Sequence, residues 1–172
     1  PIIEKKHLIK WLKTNYSFLR NKSFTLNKLN SERDVNFTIT LQNKKKYVLK
    51  ISNPSENLNI LEYQDRLIKH LSATKDLKKY IPNILHKKIV KYLDKKNREC
   101  FVRILSYIDG QMYGDIKINS NIEKSLGNLI GMTSVQLKNF FDKDSYRKFI
   151  WDPSNIDWLY REINIFNGNK KL

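Results

Sequence analysis

The stretch "YVLKIS", residues 47 to 52, reads as a β-strand with a charge in its middle. Strand side chains alternate, so Tyr47, Leu49 and Ile51 share one face and Val48, Lys50 and Ser52 the other. Lys50 has two readings. Its stem can lie along a half-exposed sheet while the ammonium reaches water. Alternatively, it is a cation positioned for a phosphate.

The neighbouring segments extend the strand into a sheet. "SFTLNKL" (23 to 29) and "VNFTITLQ" (35 to 42) flank the turn-like "NSERD", and the polar turn "NKKK" leads into residues 47 to 52. Three short strands with tight connections predict an antiparallel meander. Before them, Ile3, Leu8, Trp11 and Leu12 give residues 2 to 16 one greasy helical side. After them, Asn53-Pro54 stops the strand and Ser55 offers an N-cap. Leu58, Leu61, Leu67, Ile68 and Leu71 then predict a helix. "HKKIVKYL" and "CFVRILSYI" read as two more strands joined by "DKKNRE". The order is β-β-β-α-β-β, with one helix inside an antiparallel sheet. "DGQMYGD" breaks this pattern, a helix follows over 121 to 141, and Asp157 opens another.

On the helix after Pro54, position decides which polar residue faces the sheet. At about 100° per residue the apolar set centres near Gln64, and Glu62 points roughly 160° away. Gln64 is therefore a polar side chain on the buried face, where it needs hydrogen bonds. It reads as a core amide satisfied by backbone or as the partner of Lys50. Glu62 reads as solvated, near Arg66 at i+4.

Composition bounds the function. The 172 residues are 40% hydrophobic and 12% aromatic, enough to bury a core. No apolar run reaches the roughly 20 residues of a membrane span. The lone Cys100 excludes a disulfide framework and a Cys-rich zinc site. A cytoplasmic protein is the default reading, and the start at Pro1 suggests a lost N-terminus. The net charge of +16 raises nucleic-acid binding. Against it, the charge is mostly Lys scattered through turns, without clustered Arg or a reader motif.

Together, "LNSERDVNFTI", "YVLKISNP", "LEYQDRLIKHL", "FVRILSYIDGQ" and "FIWD" resemble the N-terminal part of the aminoglycoside phosphotransferase-like kinases. The similarity runs from about Ser23 to Trp158 and is nearest to the hydroxylysine kinase branch, including kinase domains fused to class III aminotransferases. It implies an α+β, protein-kinase-like N-lobe over residues 1–105: a five-stranded antiparallel sheet with one packed helix, preceded by an N-terminal helix. The hinge and the first helices of a truncated C-lobe would occupy 106–172. It also implies an ATP (or GTP) and Mg²⁺ cofactor and, as acceptor, a hydroxyl on a small amine or amino acid.

By the same resemblance, Lys50 contacts nucleotide phosphates and Gln64 stands on the helix where relatives carry Glu. "NSERD" occupies the nucleotide-positioning loop. It has no Gly, so Ser31 and backbone N–H groups would make the phosphate contacts, while Arg33 reads as structural. The hinge supplies the Ser106 carbonyl and the Ile108 N–H to adenine, with Tyr107 between them, and Val48 and Leu105 form apolar walls. The family's His-x-Asp…Asn loop has no counterpart: none of His7, His70 and His86 is followed two residues later by Asp. No cluster has metal-ligand spacing, and Trp151 and Trp158 read as packing residues. The alternative from another class is a catalytically silent basic binding module.

Overall fold

The computed structural model describes residues 1–86, 88–146 and 152–162. The chain forms two compact units, Pro1–Phe141 and Asp142–Leu172.

The first unit is built on one sheet. Its strands are β1 (Phe24–Leu29), β2 (Val35–Leu41), β3 (Lys46–Ile51), β4 (Val90–Leu93) and β5 (Glu99–Ser106), with α1 (Lys5–Asn15) before them and α2 (Leu58–Ser72) between β3 and β4. The spatial order is β1-β2-β3-β5-β4, every pair antiparallel. The crossover through α2 places β5, not β4, beside β3.

The register explains the alternation in "YVLKIS". Leu49 lies between Phe37 and Ile104, and Ile51 between Val35 and Val102. These residues join Leu8, Leu12 and Tyr16 of the α1 segment in a single core cluster. Positions 8, 12 and 16 are four apart, one helical stripe. The Tyr16 hydroxyl donates to the Val102 carbonyl (3.3 Å), tying the end of α1 to β5. Burial raises its pKa far above the ordinary phenol value.

The opposite sheet face carries α2. Asn57 caps this helix, its side chain accepting from the Asn59 amide (2.9 Å). Ser55 does not cap, which corrects the sequence reading. Its hydroxyl donates to Asn53 Oδ1 (2.9 Å) and accepts from Arg33 Nη2 (3.1 Å). The turn after Pro54 uses that hydroxyl before the helix starts.

The fourth strand is shorter than "HKKIVKYL" predicts. Ahead of it, the chain meets β5 at an isolated bridge, Ile84 to Leu105, with the Leu85 amide donating to the Ile104 carbonyl (3.0 Å) and the Asn83 backbone paired with Ser106. Lys87 lies outside the described residues. The helix α3 (Ser120–Leu137) ends beside α2: Nε2 of His70 meets the Gln136 carbonyl at 3.0 Å, and the His70 ring packs on Phe140. Its apolar residues were expected to cover one face, yet Leu126, Ile130 and Val135 are exposed.

The second unit contains short 3₁₀ turns at Lys143–Ser145 and Pro153–Asn155, then α4 (Trp158–Arg161). Asp157 precedes α4 as expected but makes no side-chain cap. Trp151 lies outside the described residues, and Trp158 is exposed.

Candidate functional site

The candidate site is a row of three polar side chains on the α2 face of the sheet. Lys50 in β3 sits directly between Asn36 in β2 and Arg103 in β5. Directly opposed residues on one face place their Cβ atoms about 5 Å apart. One step along the strands, Val48 faces Leu105. The two residues expected to wall an adenine ring are therefore cross-strand neighbours, beside the row.

Arg103 is the least exposed of the three. Its side chain is 5% accessible, and its fork is filled by α2. Nη1 donates to Asp65 Oδ1 (2.7 Å) and to the Leu61 carbonyl (3.2 Å). Nη2 donates to Gln64 Oε1 (2.6 Å). Gln64 thus faces the sheet, as helical periodicity predicts, but its carbonyl is bound to Arg103 and not to Lys50. A planar, permanently charged fork reaches two side chains and a carbonyl at once, which an ammonium on β3 cannot do. Glu62 is exposed, as expected.

Lys50 is half-buried, and its proton affinity is lowered. Burial is the main cause, Arg103 adds to it, and Asp34 opposes both. The acid that balances Lys50 therefore comes from the end of "NSERD" and not from the helix. Asp34 Oδ1 also accepts the Asn53 amide (2.9 Å), locking the end of that loop to the end of β3. Beside Lys50, the Oδ1 atom of Asn36 is buried without a hydrogen-bond partner.

The loop residues have mostly local roles. Ser31 is exposed and its hydroxyl donates to the Asp34 carbonyl (2.7 Å), closing the turn. Arg33 Nη2 donates to the Ser55 hydroxyl, and its carbonyl accepts from Asn53 Nδ2 (3.3 Å). At the end of β5, the Ser106 amide donates to the Asn83 carbonyl (2.8 Å) and the Ser106 hydroxyl accepts the Asn83 amide (2.8 Å). Tyr107 carries the Lys46 ammonium over its ring (5.0 Å), and Ile108 is exposed. A groove lined by Phe18, Lys22, Lys46, Tyr47 and Tyr107 opens where β3 begins and β5 ends.

A half-buried ammonium whose one nearby acid is also bound to the Asn53 amide suits an anionic ligand, which would give it a further acceptor. Among the described residues, no three His, Cys, Asp or Glu side chains gather as a metal site, and no helix is long and apolar enough to cross a membrane. Sequence reasoning missed Arg103, Asp65 and Asp34. Arg103 had a signal: in "CFVRILS" it is the one charged residue, on the face opposite Val102 and Ile104.

The chain matches no protein-family model and no curated protein. Solved structures do match its fold. A microcompartment-associated aminopropanol kinase aligns with 86% of this chain and 45% of its own length, at 13% identity and a TM-score of 0.63. An amicoumacin kinase, solved with AMP-PNP and Ca²⁺, aligns with 96% of this chain and 57% of its own length, at 14% identity and a TM-score of 0.62. The chain thus spans about half the length of these kinases, and its five-stranded antiparallel sheet with packed helices is the kinase-like N-lobe fold they contain.

Proposed function

We propose that this chain is the nucleotide-binding portion of an ATP-dependent phosphotransferase, with Mg²⁺ as the accompanying ion. The acceptor is a hydroxyl on a small amine or amino acid. A hydroxylysine-like compound leads, with amino alcohols and aminoglycosides as the wider class. GTP is the alternative donor. Residues 1–105 form the nucleotide lobe, and 106–172 form the hinge and the first part of a second lobe. The likeness to an aminopropanol kinase and an amicoumacin kinase supports the choice of acceptor.

One observation carries the reading. Lys50 is a half-buried cation on the sheet face shared by Val48 and Leu105, and no helix carboxylate neutralises it. In this reading it holds nucleotide phosphates, as the β3 lysine does in protein kinases. Ser31 and its neighbours cover the phosphates. The Ser106 carbonyl and Ile108 N–H hold adenine beside Tyr107, while Gln64 supports the site through Arg103.

The test is a titration with Mg-ATP, wild type against Lys50→Ala. Loss of a charge-assisted phosphate contact is expected to weaken binding about ten-fold or more. The half-buried ammonium costs desolvation, so the folded state should keep its stability. Equal affinity for the two proteins removes Lys50 from the phosphate site.

A further inference from the structure

The Arg103 cluster has a role that its hydrogen bonds alone do not state. We infer that Arg103 is a positioning residue: by holding Asp65 and Gln64 it keeps the polar side chains of α2 off Lys50, so the Lys50 ammonium stays available to an anionic phosphate. This rests on the phosphate role proposed for Lys50.

The geometry supplies the argument. Lys50 and Arg103 are directly opposed across β3 and β5 on one sheet face, and Arg103 binds α2 there. Two cations compete there for one acid on α2. Arg103 wins it with a 2.7 Å ion pair whose Asp65 side chain is only 17% exposed. It also takes the amide oxygen of Gln64 and a helix carbonyl. A fork with five donors outcompetes a single ammonium for such a set. Lys50 is left with Asp34, which lies at the end of the 30–34 loop and is tied by its carboxylate to the Asn53 amide. The charged groups acting on Lys50 are then Asp34 from the loop before β2 and Arg103 from β5. Asp65 reaches it only through Arg103.

If Arg103 is removed, Asp65 becomes a part-buried carboxylate without its cation. The cross-strand neighbour Lys50 is the cation placed to fill that role. The lysine then turns toward α2 and titrates higher, because a like charge has gone and an opposite one has come closer. Removing the Asp65 charge acts in the other direction. Arg103 keeps its position by hydrogen bonding to the amide but is no longer neutralised, so it presses harder on Lys50, which titrates lower.

The experiment reads the titration of the Lys50 side chain by NMR in the full chain, its signal assigned by comparison with Lys50→Arg. Arg103→Met is expected to raise the midpoint by about one pH unit or more, and Asp65→Asn to lower it. Mg-ATP affinity should fall several-fold in Arg103→Met and stay within about two-fold of wild type in Asp65→Asn. A role confined to packing would leave the Lys50 midpoint unchanged in both folded variants, and that result overturns the inference. If Arg103→Met does not fold, Asp65→Asn decides alone: a midpoint equal to or above that of wild type rejects the mechanism. If Lys50 shifts as expected but wild type binds no Mg-ATP, the arrangement stands and the nucleotide reading falls.

Discussion

Arg103 and Asp65 form a part-buried ion pair, Nη1 to Oδ1 at 2.7 Å, that joins β5 to α2. Desolvating two charges consumes much of what their attraction returns, so the pair is costly to break on one side and cheap to replace on both. Arg103→Leu alone takes the guanidinium from Asp65 and leaves only the shorter-reaching Lys50 to replace it, which should cost about 1–3 kcal/mol. Adding Asp65→Leu should recover most of that loss. Urea unfolding of the two singles and the double gives the coupling energy. Additive losses would show that each residue acts through other contacts.

The helix α1 belongs to the core of the lobe and is not an appendage. Leu8 and Leu12 are fully buried in the same cluster as Leu49, Ile51 and Ile104. Leu12→Ala deletes three carbons from a closed site and is expected to cost about 2–5 kcal/mol. A loss under about 1 kcal/mol in chemical denaturation would mean that the sheet face is covered in some other way.

Sequence periodicity located most of this fold. The alternation in residues 47–52 placed Lys50 on the face away from the α1 core, and a 3.6-residue period turned Gln64, not Glu62, toward the sheet. What it could not supply was the partner. Whether Gln64 meets Lys50 or Arg103 depends on which strand lies under that turn of helix, and the β3-β5 adjacency is a tertiary fact. Asp65 neighbours Gln64 in sequence, about 100° round the helix, and only Arg103's forked reach brings both into one site. The choice of Asn57 over Ser55 as cap was equally hidden, because both are capping residue types and the turn at Asn53 claims Ser55.

Asp94 predicts a specific acid sensitivity. Its buried carboxylate receives Arg98 Nη2 (2.7 Å) and Nε (3.0 Å) and the amides of Ile2, Lys96 and Arg98. The Arg98 contact first, then these amides, hold its pKa well below the usual carboxylate range. A carboxyl whose folded pKa is depressed stabilises fully above its unfolded value, about 4, and loses that contribution as pH falls toward the folded value. Thermal melts between pH 7 and pH 3 should therefore show a steeper loss for wild type than for Asp94→Asn. The variant should be less stable at pH 7, with the gap closing on acidification. Parallel curves would exclude Asp94 as a source of the acid sensitivity.

The two hairpin turns make the last prediction by comparison. In the β4–β5 turn the Asn97 amide donates to the Asp94 carbonyl and the Asp94 amide to the Arg98 carbonyl, with Asn97 at φ 56°. The β2–β3 turn repeats this pattern: Lys44 amide to Leu41 carbonyl, Leu41 amide to Lys45 carbonyl, with Lys44 at φ 64°. Both closures need one residue in the left-handed region. Asn tolerates it, whereas a long side chain pays roughly 1 kcal/mol for its Cβ. Lys44 is exposed, and its amide bond is main-chain, so replacing it removes no buried contact. Lys44→Gly relieves the strain but loosens the unfolded chain, while Lys44→Asn relieves it without that opposing term. Lys44→Asn should therefore raise stability by about 0.5–1 kcal/mol, and Asn97→Lys should lower it by a similar amount. Urea midpoints with unchanged slopes would report both effects. A destabilised Lys44→Asn would show that the lysine contributes more than its backbone conformation costs.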